Sequence, residues 1–242
     1  MKELILDIET SQNIGTFWRP GSKVSISHHD ILEERRIICV CYKWRGKKQV
    51  SSIDWGKKQC DKELLERLIP VLHDADAIVA HNGDRFDVPW LRGRVLIHGL
   101  NPIGDVNTVD TCKMANRLGL NSARLDYLHK IMGGDGKLET GGVSLWHKVL
   151  GGNISALSKM VRYCKRDVTI LEQVYEWLLP HVPATYNRSL SVSGHRDGCS
   201  SCGAPPSDQV RFGIVTRRAG KYQRYQCKQC GAVWRSSRML KL

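Results

Sequence analysis

The stretch Leu4-Ile5-Leu6-Asp7-Ile8-Glu9-Thr10, close to the start of the chain, is apolar until two acids interrupt it. This pattern predicts a β-strand over residues 1–10. Residues two apart on a strand share a face and lie about 7 Å apart, so Asp7 and Glu9 point the same way. Two carboxylates on an apolar strand are costly to bury unless a cation or proton compensates them. The pair therefore indicates either a metal site or ion-paired surface carboxylates at a strand end.

The residues that follow this strand predict an α/β fold with a mixed sheet. Apolar periodicity favours further strands at 37–44, 48–55 and 77–80, and helices at 61–73, 86–97, 110–118, 122–132 and 155–178. Asp61 is predicted to be the N-cap of the first helix. Residues 12–34 are predicted as a loop that contains at most one short helix. Strands followed by a helix–strand–helix order are typical of a mixed sheet and not of a sandwich.

Charge is distributed unevenly along the 242 residues. The chain has 37 Lys and Arg against 24 Asp and Glu, a net charge of +13, and residues 186–242 contain 11 basic and 2 acidic residues. A basic tail on a nearly balanced body indicates a polyanionic partner, most often nucleic acid. Plain solubility is the alternative explanation.

The apolar runs and the cysteines indicate in which cellular compartment the protein is expected. No uncharged apolar run approaches the roughly 18 residues that a transmembrane helix needs, so no membrane partner is expected. The first apolar run contains Asp7, which is not typical of a signal peptide. We therefore expect a reducing cytoplasmic location, in which the nine cysteines form no disulfide framework and the clustered ones serve as metal ligands.

Two CxxCG motifs near the C-terminus predict a zinc ribbon. They hold four cysteines, with 24 residues between the motifs: Cys199, Cys202, Cys227 and Cys230. Four thiolates suit one tetrahedral Zn²⁺ and leave no open position, so the ion is expected to be structural. A segment of this size depends on the metal to fold. Short strands are predicted at 210–216 and 222–226.

Three further residues complete a possible hard-metal site. Asp87 follows the strand 77–80, and Tyr163 and Asp167 lie four apart on one face of the helix 155–178. Taken with Asp7 and Glu9, these carboxylates are the ligands that a pair of Mg²⁺ or Mn²⁺ ions requires. A tyrosine hydroxyl beside the attacking water can orient it by a hydrogen bond.

Three ordered motifs carry a family resemblance: DIET at residues 7–10, HNGDRFDVP at 81–89 and YCKRD at 163–167. They resemble the exonuclease motifs of the DEDD superfamily, and the tyrosine four residues before the last Asp resembles its DEDDy branch. The strings are most similar to those of the proofreading domain of family B DNA polymerases and its stand-alone relatives. The resemblance covers residues 1–182.

The resemblance implies an RNase H-like fold with 3′→5′ exonuclease activity. It implies that the two-metal ligands are Asp7, Glu9, Asp87 and Asp167. It also implies that Tyr163 positions the water, that Asn82 and Phe86 contact the 3′-terminal nucleotides, and that Thr10 lies by the terminal sugar. Packing of Phe86 in the core is the favoured alternative for that ring. Asp110 is expected to cap a helix and not to bind metal.

The predicted domains are an RNase H-like exonuclease at residues 1–185, a linker at 186–198 and the zinc ribbon at 199–242. In the ribbon, cations interleave with aromatic rings, as on surfaces that bind nucleic acid. The candidates for substrate binding are Arg217, Arg218, Lys221, Tyr225 and Trp234, within a basic set that extends to Lys241. A protein-interaction module is the alternative function of this segment.

The function that these features favour is a metal-dependent 3′→5′ exonuclease acting on single-stranded DNA or frayed 3′ ends. The motifs do not distinguish DNA from RNA, so an exoribonuclease is an alternative. The fold also hosts internal cleavage, which leaves a structure-specific endonuclease open. A nucleic-acid-binding adaptor with a vestigial site is the hypothesis from a different class.

Overall fold

The computed structural model describes residues 1–19, 21, 24–136 and 142–240, so Lys241 of the predicted basic set lies outside the described residues. The chain forms two compact units. The sheet unit comprises residues 2–110 and 135–171. The ribbon unit comprises Met1 with residues 111–134 and 172–242. The predicted limits at 185 and 199 stay predictions.

The sheet unit is built on a five-stranded mixed sheet. Among its described residues the sheet unit has seven strands, of which five form the large sheet: β1 (Glu3–Thr10), β2 (Ile14–Gly15), β3 (Ile31–Glu33), β4 (Ile37–Trp44), β5 (Ser51–Asp54), β6 (Ala77–Ala80) and β7 (Asn107–Asp110). The large sheet has the order β5-β4-β1-β6-β7, and β2 pairs with β3 separately. Strand β1 runs antiparallel to β4 and parallel to β6, which in turn is parallel to β7. The predicted mixed sheet is confirmed.

The helices of the described residues are α1 (Asp61–His73), α2 (Asp87–Ile97), α3 (Thr111–Asn116), α4 (Leu125–Ile131), α5 (Val143–Leu150), α6 (Ile154–Leu178) and α7 (Ser189–Val192). Short 3-10 helices occupy His28–Asp30, Leu179–His181 and Pro206–Asp208. None of these helices is long and apolar enough to cross a bilayer.

The alternation of β1 divides the sheet into an apolar face and an acidic face. Leu4, Leu6 and Ile8 form one hydrophobic core with the buried leucines of α1 and with Leu91 and Val95 of α2. Asp7 and Glu9 lie on the opposite face, because side chains alternate along a strand. Cys164 of α6 contacts Asp7 there, so helices flank the sheet on both sides.

The prediction that Asp61 caps α1 is wrong. The cap residue is Cys60, and Asp61 is the first residue of the helix and fully buried. Its Oδ2 accepts hydrogen bonds from the backbone N–H of Ile37 at 2.9 Å and from Nε of Arg94 at 2.7 Å. His98 lies 2.7 Å from the other oxygen. The carboxylate therefore joins α1, α2 and β4 in place of closing the first turn of its own helix.

Replacement of Asp61 with alanine is expected to destabilise the chain by about 3 kcal/mol, because it leaves the buried Arg94 guanidinium without its partner. Burial raises the pKa of Asp61, but hydrogen bonds from Arg94, Ile37 and His98 outweigh burial and lower it. The contribution is therefore present above the unfolded pKa of about 4 and is lost as pH falls through the lower folded pKa. Urea unfolding at several pH values measures both effects. Glu63→Gln, at an exposed carboxylate of the same helix, serves as the control and is expected to change little.

Several short strands and helices were not predicted from the sequence. Strand β7 has a single buried apolar residue, Val109, and is a strand because it pairs with β6. Residues 12–34, predicted as a loop, contain the β2–β3 pair and a 3-10 turn. Helix α5 and the last ribbon strand were also missed. Short elements with little periodicity take their structure from neighbours, which a local pattern does not contain.

The ribbon unit contains a three-stranded antiparallel sheet. Its strands are β8 (Gln209–Arg217), β9 (Gly220–Cys227) and β10 (Val233–Met239), in the order β10-β9-β8. The first two confirm the predicted strands. Strands β8 and β9 are joined by a two-residue turn at Arg218 and Ala219.

The stretch predicted as a linker is folded in the structure. It contains α7, and Arg188 and Ser189 are buried. Nη1 of Arg188 donates to the Ser201 carbonyl at 2.9 Å, beside the first cysteine motif. A Cβ built on Gly203 would come within 2.7 Å of Val192, so glycine permits α7 to lie against this motif. Ser189, one of the small residues that favoured a linker in the sequence, is buried here.

Candidate active site

Three of the predicted acidic ligands converge on the acidic face of the sheet. Asp7 and Glu9 of β1 and Asp167 of α6 each place a carboxylate oxygen within 4.8 Å of the other two. Asp167 is 1% exposed, and the two strand residues are half-buried. Carboxylates this close repel one another unless a proton or a cation lies among them. The arrangement therefore fits a hard divalent cation better than it fits ion-paired surface acids.

A β-bulge ends the acidic part of β1. The β1–β4 register pairs Glu9 with Cys39 but Thr10 with Ile37, so β4 has one extra residue, Ile38, opposite this point of β1. Such bulges redirect side chains and are frequent beside active sites. Thr10 is buried, and its carbonyl accepts a hydrogen bond from Nε1 of Trp146 at 3.1 Å. Trp146 was not expected near this strand, because the sequence pattern did not predict α5.

Asp87 lies beside the three converging acids without belonging to their 4.8 Å group. It is the first residue of α2 and is 2% exposed. Its Oδ1 accepts a hydrogen bond from the backbone N–H of Ile8 at 3.1 Å. Ile8 stands between Asp7 and Glu9, so Asp87 anchors the strand that carries both.

The second motif forms a tight turn between β6 and α2. Asn82 is exposed and has a φ of 63°, a left-handed conformation that asparagine tolerates. A Cβ on Gly83 would lie 2.4 Å from that of Ala80, so no side chain fits there. Asp110 accepts from the backbone N–H groups of Asn82 at 3.0 Å and Asp84 at 3.4 Å. Asp110 therefore holds this turn, and its predicted role as a helix cap stays a prediction.

Phe86 packs against the hydrophobic core, as the favoured alternative for that ring predicted. It is half-buried, and its ring centroid lies 6.4 Å from that of Trp90. The guanidinium of Arg35 lies over the ring of Trp90, 5.0 Å from the ring centroid. A contact of Phe86 with nucleotides stays a prediction.

Tyr163 and Cys164 lie one turn before Asp167 on α6. Tyr163 is half-buried, four residues from Asp167 on the same helix. Sγ of Cys164 lies 3.4 Å from Oδ2 of Asp7. The third motif therefore contacts the first motif directly through a residue that sequence analysis did not single out.

The four predicted zinc ligands of the ribbon unit form a second cluster. The Sγ atoms of Cys199, Cys202, Cys227 and Cys230 lie within 4.8 Å of one another. Two pairs, 199 with 230 and 202 with 227, are 3.7 Å and 3.6 Å apart. A tetrahedral site with Zn–S bonds of about 2.3 Å has sulfur–sulfur edges of about 3.8 Å. The cluster therefore fits one Zn²⁺.

Comparison with known proteins identifies the family to which this chain belongs. A family model described as the RNase H superfamily matches residues 31–179. The chain belongs to the RNase H superfamily. The matched region contains Asp87, Tyr163 and Asp167, and it begins after Asp7 and Glu9.

This member of the RNase H superfamily is also similar to DNA polymerases over part of their length. A segment of 41 residues is 42% identical to a DNA polymerase of Methanocaldococcus jannaschii and spans 17% of this chain and 2% of that protein. The fold is similar to the family B DNA polymerase of Pyrobaculum calidifontis, with a TM-score of 0.58 and 18% identity over 80% of this chain and 26% of that one. The chain thus spans a minor part of both polymerases. The family model shows the superfamily, and the structural likeness shows the fold.

The ribbon residues predicted to bind substrate fall into two groups in this RNase H superfamily protein. Trp234 is half-buried against the cysteine cluster, and the ring of Tyr225 stacks on it at 5.2 Å. Arg217, Arg218 and Lys221 are exposed around the β8–β9 turn. The stacked rings are explained by packing within the ribbon, whereas the cations face solvent.

Proposed function

We propose that the protein is a metal-dependent 3′→5′ exonuclease of the DEDDy type that hydrolyses single-stranded DNA or frayed 3′ ends. The observation that carries this proposal is the convergence of Asp7, Glu9 and Asp167 within 4.8 Å on a sheet of the RNase H superfamily. The polymerase relative and the polymerase fold favour DNA over RNA. The resemblance of the three motifs to those of DEDDy exonucleases favours attack from the 3′ end.

The proposed metal ligands are Asp7, Glu9, Asp87 and Asp167, which together would hold two Mg²⁺ or Mn²⁺ ions. When bound, such ions activate a water and stabilise the leaving oxygen of a phosphodiester. Glu9 and Asp7 offer oxygens from one strand, and Asp167 offers a buried oxygen from α6. Asp87 uses one oxygen to hold the Ile8 N–H, so its second oxygen is the one proposed for a cation.

Tyr163 is proposed to orient the attacking water through its hydroxyl. Tyr163→Phe is then expected to lower the rate of cleavage about a hundredfold, because a misplaced nucleophile loses that much. The affinity for the oligonucleotide is expected to stay unchanged, since the ring remains. Single-turnover cleavage together with a binding titration separates the two. Tyr127→Phe, on α4, is the matched control, and equal rates for the two variants would exclude the role of Tyr163.

The ribbon is proposed to hold the nucleic-acid strand through its exposed cations. Arg217, Arg218 and Lys221 lie together at the β8–β9 turn, and residues 186–242 carry most of the net positive charge of the chain. Contacts to phosphates raise affinity without selecting a sequence and weaken as salt rises. Thr10 and Asn82, at the ends of β1 and β6, are proposed to contact the 3′-terminal nucleotide.

The test uses the full chain and a single-stranded DNA oligomer labelled at its 5′ end, with Mg²⁺ or Mn²⁺. A ladder that shortens from the 3′ end, with no cleavage of a covalently closed circular strand, is the expected result. Cleavage of the circle would show an endonuclease instead. Degradation of a matched RNA oligomer alone would make the substrate RNA. Tight binding without turnover of either polymer would show an adaptor.

A further inference from the structure

Three cysteines of the sheet unit converge at a place that the proposed nuclease function does not use. Cys39 and Cys41 lie on β4 and Cys164 lies on α6, and all three are completely buried. Their Sγ atoms lie within 4.8 Å of one another. They are separate from the four cysteines of the ribbon.

The register of the sheet explains why these thiols meet beside the acids. Cys41 is paired directly with Asp7 across β1 and β4, and Cys39 with Glu9. Opposite residues of an antiparallel pair point to the same face, so both thiols lie on the acidic face. Helix α6 brings Cys164 down onto this face, with its Sγ 3.4 Å from Oδ2 of Asp7.

We propose that Cys39, Cys41 and Cys164, with Asp7 as the fourth ligand, form a binding site for a thiophilic cation such as Zn²⁺ or Cd²⁺. The donors are three sulfurs and one carboxylate oxygen, supplied by β4, α6 and β1. Soft thiolates select such cations over Mg²⁺ or Mn²⁺. The site is closed by burial, like structural zinc sites.

Distance supports four-coordinate geometry. A tetrahedral Zn²⁺ with a Zn–S bond of about 2.3 Å and a Zn–O bond of about 2.0 Å has a sulfur–oxygen edge of about 3.5 Å. The distance from Sγ of Cys164 to Oδ2 of Asp7 is 3.4 Å. Buried cysteines often act simply as small apolar side chains. Apolar packing gives no reason for a carboxylate oxygen to lie in contact with one thiol of this cluster.

The half-exposed carboxylates provide the route to this buried site. Asp7 contacts Cys164 of the thiol cluster and belongs to the converging acids, so a cation would reach the sulfurs from the side of the carboxylates that are partly open to solvent. Binding would release the thiol protons, as thiolate coordination requires. The binding proposal does not rest on the nuclease proposal, because it concerns cation uptake alone.

The test measures thiolate coordination in the reduced full chain. The protein is equilibrated with excess Cd²⁺, gel-filtered, and examined for cadmium content and for the ultraviolet absorbance of cadmium–thiolate bonds. The expected absorbance corresponds to seven such bonds, four from the ribbon and three from the buried cluster. Carboxylates add nothing to this absorbance, so cation bound only by the acids does not raise it.

Variants of the cysteines show which thiols give the cadmium–thiolate absorbance. The Cys39→Ser/Cys41→Ser double variant is expected to lose three sevenths of the absorbance, because the remaining thiol cannot hold the cation alone. The more conservative Cys41→Ala variant is expected to lose the same bonds while keeping an apolar core. Cys60→Ser and Cys112→Ser, at cysteines outside both clusters, are the controls and are expected to keep the full signal.

Two results would overturn the proposal. The first is a wild-type absorbance that corresponds to the four ribbon thiolates alone, which needs no variant to interpret. The second is an unchanged absorbance in both cluster variants. The role of Asp7 has its own readout: Asp7→Asn is expected to weaken uptake of the second Cd²⁺ at least about tenfold, and unchanged affinity would remove Asp7 from the ligand set.

Discussion

Replacement of Asp7 with alanine is expected to lower the rate of phosphodiester cleavage about a thousandfold or more. Asp7 is one of three carboxylates that converge within 4.8 Å, and its strand is held by Asp87 through the Ile8 N–H. Loss of one shared ligand removes several kcal/mol of transition-state stabilisation, and each 1.4 kcal/mol or so is tenfold in rate. Binding of the nucleic acid is expected to stay largely intact, since the ribbon cations are untouched.

The measurement is single-turnover cleavage of the 5′-labelled DNA strand, with binding followed separately by fluorescence anisotropy without divalent cation. Asp7→Asn keeps the size of the side chain and removes its charge, so it should lose activity as alanine does. Glu63→Gln removes an exposed carboxylate of α1 and should cleave at the wild-type rate. Abundant cleavage by Asp7→Ala would refute the assignment of the site.

Replacement of Cys227 with serine is expected to unfold the ribbon and to release one zinc ion per chain. Cys227 is buried, and its backbone N–H and carbonyl hold the second turn through Ala232 and Gly231. The few apolar residues packed on the cysteines cannot replace the metal. Structural zinc contributes roughly 10–16 kcal/mol in small domains, as much as the entire stability of a typical domain of about 5–15 kcal/mol.

Hydrogen exchange over β8, β9 and β10, with zinc content measured after gel filtration, tests this prediction. Cys227→Ser should lose protection throughout the three strands, while β1, β4 and β6 keep theirs. Cys112→Ser, at a cysteine outside both clusters, should keep the zinc and the protection. Full protection of the three strands in a Cys227→Ser variant that has lost the ribbon zinc would show that the ribbon folds without its metal.

Periodicity predicted the long elements because their patterns are local. The leucines of α1 repeat at helical spacing, β4 begins with a continuous apolar run, and β1 is apolar from Leu4 up to Asp7, so each element was found within a few residues. The element β7 and the β2–β3 pair lack such patterns and depend on partners. Asp61 likewise shows that a local pattern does not reveal contacts with residues distant in sequence. It stands where a cap is expected, but Arg94 and His98, far away in sequence, determine its role.

The candidate sites were predictable to different extents. The CxxCG spacing alone predicted four zinc ligands, and they meet in the structure. The acids were found through their motifs, and three of them converge as expected. Asp87 differs, because its contact with Ile8 involves the backbone, which carries no signature in the side-chain pattern. The stacked position of Tyr225 on Trp234 likewise depends on the pairing of β9 with β10.

The sequence by itself determined that two acids share a face of one strand, that two cysteine pairs can hold zinc, and which segments become the main strands and helices. These properties follow from spacing along the chain, which sets the direction of a side chain within its own element. Only the tertiary structure decided that Cys39, Cys41 and Cys164 gather beside Asp7. Their meeting depends on strand register and on the docking of α6, and a shift of one residue in either would separate them.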